Sequence, residues 1–144
     1  MKQNNWKIFE DKNLADILVV VSGKNEEELF LHILQAFLNI ITKAEKIMQK
    51  IEIPLKMQGK NLDELIINFI NELIYLKDTK FQLFKSGSFK ITFTKQGLSL
   101  YALLKGQKIG KKLPINADIK ALTLHKFKVE KKANKCTVTL VFDI

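Results

Sequence analysis

The chain has 144 residues, with 24 Lys and no Arg against 15 Asp and Glu, for a net charge of +9. With 47% apolar and 27% charged residues, it can bury a full core as a single domain over 1–144, which excludes a disordered polyelectrolyte. One Cys and two His exclude an internal disulfide and a cysteine-built zinc site. Without Arg there is no bidentate fork for guanine edges or phosphates, only point charges that attract polyanions.

Residues 1–10 are polar and aromatic and lack the apolar stretch of a secretory signal. No apolar run reaches the roughly 18 residues that would span a bilayer. The chain therefore reads as cytoplasmic, with no membrane partner. Residues 14–22 (LADILVVVS) form a β-branched, nearly continuous apolar run, as in a strand buried on both faces. Asn25, with Glu28 three positions on, begins a helix in capping-box style. Its apolar stripe is Phe30, Ile33, Leu34, Phe37, Ile41, Ala44 and Met48. Residues 51–57 alternate as an edge strand does, and Pro54 agrees with an edge.

Asn61 and Glu64 repeat the cap pattern before a second helix, whose stripe is Leu62, Leu65, Ile66, Phe69, Ile70, Leu73 and Leu76. From Phe81 the period changes to two. Residues 89–94 and 98–104 read as strands joined near Gln96-Gly97, and 120–130 and 136–142 as a last hairpin turning across 131–135. The order predicts an α+β fold, with two helices packed on a mixed, mostly antiparallel sheet.

Asp16 stands at the head of an otherwise apolar strand. It reads either as a strand-end residue meeting solvent or loop amides, or as a ligand or acid. Asp143 follows the apolar run 138–142, one residue from the α-carboxylate of Ile144. Groups of like charge this close repel unless a cation or several donors hold them; otherwise the end is a solvated terminus. His125, alternating with Ala121, Thr123, Phe127 and Val129, reads as a hydrogen-bonded core or edge residue. His32 lies off its helix stripe and reads as surface. Cys136 reads as a small core hydrophobe. Lys126, Lys128, Lys131, Lys132 and Lys135 gather on the last hairpin, either as a solvated tip or as a docking surface for RNA or an acidic partner; no aromatics are interleaved there for base stacking. No phosphate loop and no nucleophile triad is present.

Taken together, Asp16, His125, Asp143 and Ile144 resemble archease, the family of small proteins that activate RtcB-type RNA ligases in tRNA splicing and RNA repair. The resemblance runs over nearly the whole chain. Phe9-Glu10 and Ala15-Asp16-Ile17 match the family's opening block. Glu28-Leu29-Phe30 matches its first helix, and Leu65-Ile66 with Asn71-Glu72-Leu73-Ile74-Tyr75 its second. Residues 119–125 (IKALTLH) match its block ending in His, and Val141-Phe142-Asp143-Ile144 its C-terminal block. The His-Thr that usually precedes Ala-Asp is Asn13-Leu14 here, and the Tyr before the His is Leu124.

The resemblance implies an α+β fold containing a strand–helix–strand–strand module. It implies a non-enzymatic cofactor that promotes guanylylation of the ligase's active-site His and supports multiple turnover. It also implies a divalent metal site, calcium by description, at Asp16, Asp143 and Ile144, with His125 and Asn13 as accessory positions. RNA would be reached through the ligase, with no small-molecule substrate of its own. An oxygen-only donor set agrees with a hard cation, and His125 fits better as a proton-relaying neighbour. Two rival readings differ in class. One is an RNA- or tRNA-associated module that modulates a tRNA-modifying methyltransferase through the Lys hairpin. The other is a metal-dependent hydrolase using Asp16, Asp143 and His125.

Overall fold

The two apolar stripes become two helices that open in the same way. The computed structural model describes residues 5–10 and 15–144; Asn13, and Leu14 at the head of the expected first strand, lie outside them. Helix α1 is Glu26–Ile41 and α2 is Leu62–Lys80. The side-chain oxygens of Asn25 and Asn61 accept the backbone N–H of Glu28 and Glu64, each at 2.9 Å. Each bond satisfies an N–H that the first helical turn leaves orphaned. The Glu28 carboxylate accepts in turn from the Lys24 N–H at 3.1 Å.

Helix α1 ends earlier than its stripe suggests. Thr42 is extended; it gives its N–H to the Leu38 carbonyl at 2.9 Å and its hydroxyl to the Pro114 carbonyl at 2.7 Å. A 3-10 turn at Ala44–Lys46 then changes the phase. Ile47 takes the core position at 0% exposure, and Met48, expected on the buried stripe, is 57% exposed.

The strands are β1 (Trp6–Glu10), β2 (Asp16–Gly23), β3 (Ile51–Gly59), β4 (Gln82–Thr94), β5 (Gly97–Lys108), β6 (Ala121–Lys132) and β7 (Lys135–Asp143). β1, in a stretch read as merely polar and aromatic, pairs with β2 from Trp6↔Val21 to Glu10↔Ile17. The α+β class stands, with two sheets in place of one. They run β1-β2-β7-β6 and β3-β5-β4, and every neighbouring pair is antiparallel. The second sheet and α2 form the strand–helix–strand–strand module. β3 is an edge of that sheet, the kind of strand in which a proline such as Pro54 is tolerated. Gly97, at φ +137°, closes the β4–β5 hairpin in a backbone region that other residues avoid.

The helices serve both sheets. α1 packs on β2 and β7 and also on β4, while α2 packs on β3, β4 and β5 and also on β6. Phe37 meets Phe142 of β7 at 6.1 Å between ring centres. Phe30 meets Phe69 of α2 at 5.2 Å and Phe89 of β4 at 6.4 Å. A helix held between two sheets is buried over most of its circumference, leaving only a narrow line with Glu27 and Asn39 exposed and Leu31 and Gln35 half-buried. This corrects the reading of His32, which is 7% exposed; its Nδ1–H donates to the Ser22 carbonyl at 2.6 Å. Among the described residues no helix is long and apolar enough to cross a membrane.

Candidate metal centre

Strand β2 opens on Asp16 and β7 closes on Asp143. The register pairs them: Asp16 lies opposite Asp143, Ile17 opposite Phe142 and Leu18 opposite Val141. Directly opposed residues share a face, with Cβ atoms about 4.5–5.5 Å apart. Ile17 and Phe142 point into the core, at 3% and 1% exposure. Alternation therefore sends Asp16 and Asp143 to the outer face. Asp16 is exposed and Asp143 half-buried. The Asp143-Ile144 segment is held from both sides: the Ile144 N–H donates to the Ala15 carbonyl at 3.0 Å, and the Lys120 N–H to the Asp143 carbonyl at 2.8 Å. Two carboxylates fixed opposite one another repel.

On the other side of β7, Ala121 pairs with Asp143 and Thr123 with Val141, which places Thr123 on the same outer face. Thr123 Oγ1 is buried and has no hydrogen-bond partner among the described residues. Leaving such a hydroxyl unsatisfied costs about 1–3 kcal/mol. It lies one row along the ladder from Asp143 and is closed off from solvent. Sequence reasoning missed it, because a Thr on a strand gives no signal until the register is known.

Strand β6 then loses its alternation. Thr123 pairs with Val141, but the next paired residue, Lys128, meets Thr139. Residues 124–127 therefore stand against Leu140 alone. Lys126 takes φ 63°, a left-handed conformation that costs a non-glycine residue. Bulges of this kind re-aim side chains. His125 is accordingly exposed on β6, an edge strand in keeping with the edge reading, and not on one face with Phe127 and Val129, which pack against the core. It lines an outer cleft of about 410 Å³ together with Asp16 and Lys126, over a floor of Leu18 and Val141 and beside Phe9 and Glu10. The bulge covers Val141, which is 5% exposed although it faces outward.

The structure thus brings Asp16, Asp143, Ile144 and His125 to one sheet end; Asn13 lies outside the described residues. Among the described residues no three His, Cys, Asp or Glu side chains converge on a point. The donors present are two carboxylates and backbone oxygens. This set fits a hard, partly hydrated cation such as calcium or magnesium and does not fit a tetrahedral zinc cage. His125 lines the same cleft as Asp16.

The lysine hairpin is partly neutralised. Lys131 Nζ pairs with Glu26 at 2.7 Å and lies 5.8 Å from the centre of the Phe93 ring, and Lys128 pairs with Glu130 at 3.1 Å. The hydrogen bond from Lys131 holds the Glu26 carboxyl below the ordinary range. Burial, then the Glu26 charge, pushes the Cys136 thiol up. Cys136 sits in the core as read from the sequence, at 2% exposure.

Residues 6–144 match the model of the Archease protein family (MTH1598/TM1083). Protein archease of Pyrococcus furiosus is 30% identical over 131 residues, covering 88% of each chain. The solution structure of protein 1598 of Methanobacterium thermoautotrophicum superposes with a TM-score of 0.83 at 19% identity, over 99% of this chain and 100% of the other. A Thermotoga maritima crystal structure described as "an archease, possible chaperone" gives a TM-score of 0.59 at 23% identity, over 90% and 91%. These two likenesses show a shared fold.

Proposed function

The chain belongs to the archease family, and from that premise we propose that it is a non-enzymatic activator of an RtcB-type RNA ligase. The observation that carries this reading is the pairing of Asp16 with Asp143 across β2 and β7. Two opposed carboxylates on an exposed sheet end are costly in an isolated protein and useful in one that receives a cation and presents it to a partner. Asp16, Asp143 and an oxygen of Ile144 would hold the ion. When bound, a divalent cation of the calcium class supplies positive charge against phosphate oxygens.

This chain's own residues do the positioning. The β2–β7 ladder fixes the separation of the acids. The hydrogen bonds of Ile144 to Ala15 and of Lys120 to Asp143 keep the segment from fraying. The bulge sets His125 at the rim, where it can carry a proton for the ligase's guanylylation step. The acidic edge has the wrong charge for RNA, so at this edge RNA is met through the ligase. The protein would act where that ligase acts, in tRNA splicing and RNA repair in the cytoplasm.

The test is a ligation assay with a cognate ligase, following radiolabelled GMP on the ligase and product beyond the first cycle. Wild-type protein should sustain repeated turnover, while Asp16→Asn, folded by circular dichroism, should not. Equal turnover with both would overturn the reading.

A further inference from the structure

The exposed face of the β3-β5-β4 sheet carries a charged row with an aromatic at its centre. Lys56 of β3 lies opposite Tyr101 of β5, and Tyr101 lies opposite Lys90 of β4. All three therefore share one face, spaced by the strand separation of about 4.8 Å. The inner alternates, Leu100 and Leu104 of β5, are fully buried under the helices, while Tyr101 is 44% exposed. Both lysines are exposed. Among the described residues neither lies within ion-pair distance of a carboxylate, whereas Lys105, further along the same face, pairs with Glu52 at 3.7 Å.

Lys56, Tyr101 and Lys90 line an open cleft of about 530 Å³, with Leu103 and Pro54 as its apolar ledge. Two residues towards the other end of the strands lies a polar row of Gln58, Ser99 and Thr92. The face thus passes from apolar, through cationic and aromatic, to hydrogen-bonding within three rows.

We propose that this sheet face binds single-stranded RNA, with a base stacked on Tyr101 and the flanking phosphates held by Lys56 and Lys90. The chemistry of the rows selects that occupant. An aromatic ring stacks on any base, and ammonium groups on either side follow a backbone without reading sequence. The absence of Arg from the chain removes the usual means of reading base edges, so the binding is sequence-tolerant. The hydroxyls and amide of the adjacent row can meet a ribose 2′-OH, which distinguishes RNA from DNA. The Lys56 ammonium, 5.4 Å from the Tyr101 ring centre, sits on an exposed flexible stem and can turn from the ring to a phosphate as a base arrives. Two engaged phosphates, and not many, imply weak binding with a shallow salt dependence. The proposal is independent of ligase activation and uses a sheet other than the one that carries Asp16 and Asp143.

Fluorescence anisotropy of the full chain with a labelled oligouridylate of about ten nucleotides, without ligase, tests it. Wild-type protein should bind at about 50 mM salt, with a log–log salt slope near −1.4 for two phosphates. Tyr101→Ala should weaken binding roughly tenfold or more, and Tyr101→Phe should retain it. The Lys56→Met, Lys90→Met double variant should flatten the salt slope. Asp16→Asn should bind as wild type does, which separates this outcome from any failure of the ligase reading. The proposal is overturned if wild type does not bind, if Tyr101→Ala binds equally, or if the matching DNA binds as tightly. Concentration-dependent self-association that Tyr101→Ala abolishes, with no RNA binding, would overturn it by assigning the face to a second protein copy.

Discussion

Asp16 and Asp143 stand directly opposite one another on neighbouring antiparallel strands, 127 positions apart in the chain, on the face of the sheet that the helices leave uncovered. The ladder that joins them is otherwise a core ladder: Ile17, Val19 and Val21 against Phe142, Leu140 and Val138. The repulsion between the acids is borne by that apolar pairing, so charge can be removed from the edge without loss of the fold.

For Asp16→Asn the expected sign therefore depends on the cation. In chelator, the variant should be as stable as wild type or more stable by about 0.2–1 kcal/mol, the size of a like-charge pair relieved. With calcium at about a hundred times its dissociation constant, wild type should gain about 2.7 kcal/mol and the variant much less. Thermal melts with and without calcium check this. A parallel rise in both proteins would remove Asp16 from the site.

Thr123→Val replaces an orphaned buried hydroxyl with a methyl group of similar size. In chelator the variant should melt higher, by about 1 kcal/mol in stability. Because the hydroxyl is closed off from the acids' exposed face, the calcium-dependent rise should stay unchanged. Denaturant titrations in both conditions give the two numbers.

Glu26 and Lys131 join the start of α1 to the β6–β7 hairpin, and their pair makes stability depend on pH. The folded Glu26 carboxyl lies below its ordinary value. Its contribution is therefore fully present above the unfolded value of about 4.3 and is lost as pH falls through the lower folded value. Lys131 is raised by the same hydrogen bond, so its contribution is present below about 10.4 and is lost as pH rises past that. The melting difference between wild type and Glu26→Gln should be flat between those limits and shrink outside them. A difference that stays constant through the acid range would show that the pair does not couple to folding.

Cys136 is buried, and its S–H donates to Glu26 Oε1 at 3.5 Å. Burial and the neighbouring carboxylate both hold the thiol protonated, and the thiolate is the reactive form. Iodoacetamide at about pH 8 should leave the native chain unmodified over a period that fully labels the denatured chain, as read by mass spectrometry. Rapid native labelling would contradict the placement.

Phe30 joins α1 to Phe69 and Phe89, so Phe30→Ala should cost about 3–5 kcal/mol. Met48→Ala, at an exposed position, should change stability by no more than about 0.5 kcal/mol. Urea unfolding of the two variants compares a true core position with one that only the sequence stripe placed there.

Features set by a few neighbouring residues were legible in the sequence. The Asn25 and Asn61 caps follow from a side chain reaching three residues ahead. The period of 3.6 in residues 62–76 and the alternation of 51–57 follow from backbone geometry alone, so the helices, the edge strand with Pro54 and the late run of strands could be read directly. Asp16 and Asp143 were legible as acids at the ends of apolar strands, because a charge beside such a run stands out on composition. Their pairing was decided only by tertiary structure, since antiparallel register between strands so far apart depends on which faces the whole core buries. The same cause explains the rest. His32 looks like surface on a helix with one apolar stripe, and it is buried with its ring bonded to the Ser22 carbonyl of β2, ten residues back in the chain. Met48 continues the stripe in sequence, and Thr42 ends the helix by bonding to Pro114, 72 residues away. His125 alternates with apolar neighbours in sequence, but an odd excess of residues in β6 reverses the faces after it, turning Phe127 and Val129 to the core and leaving His125 outward beside Asp16.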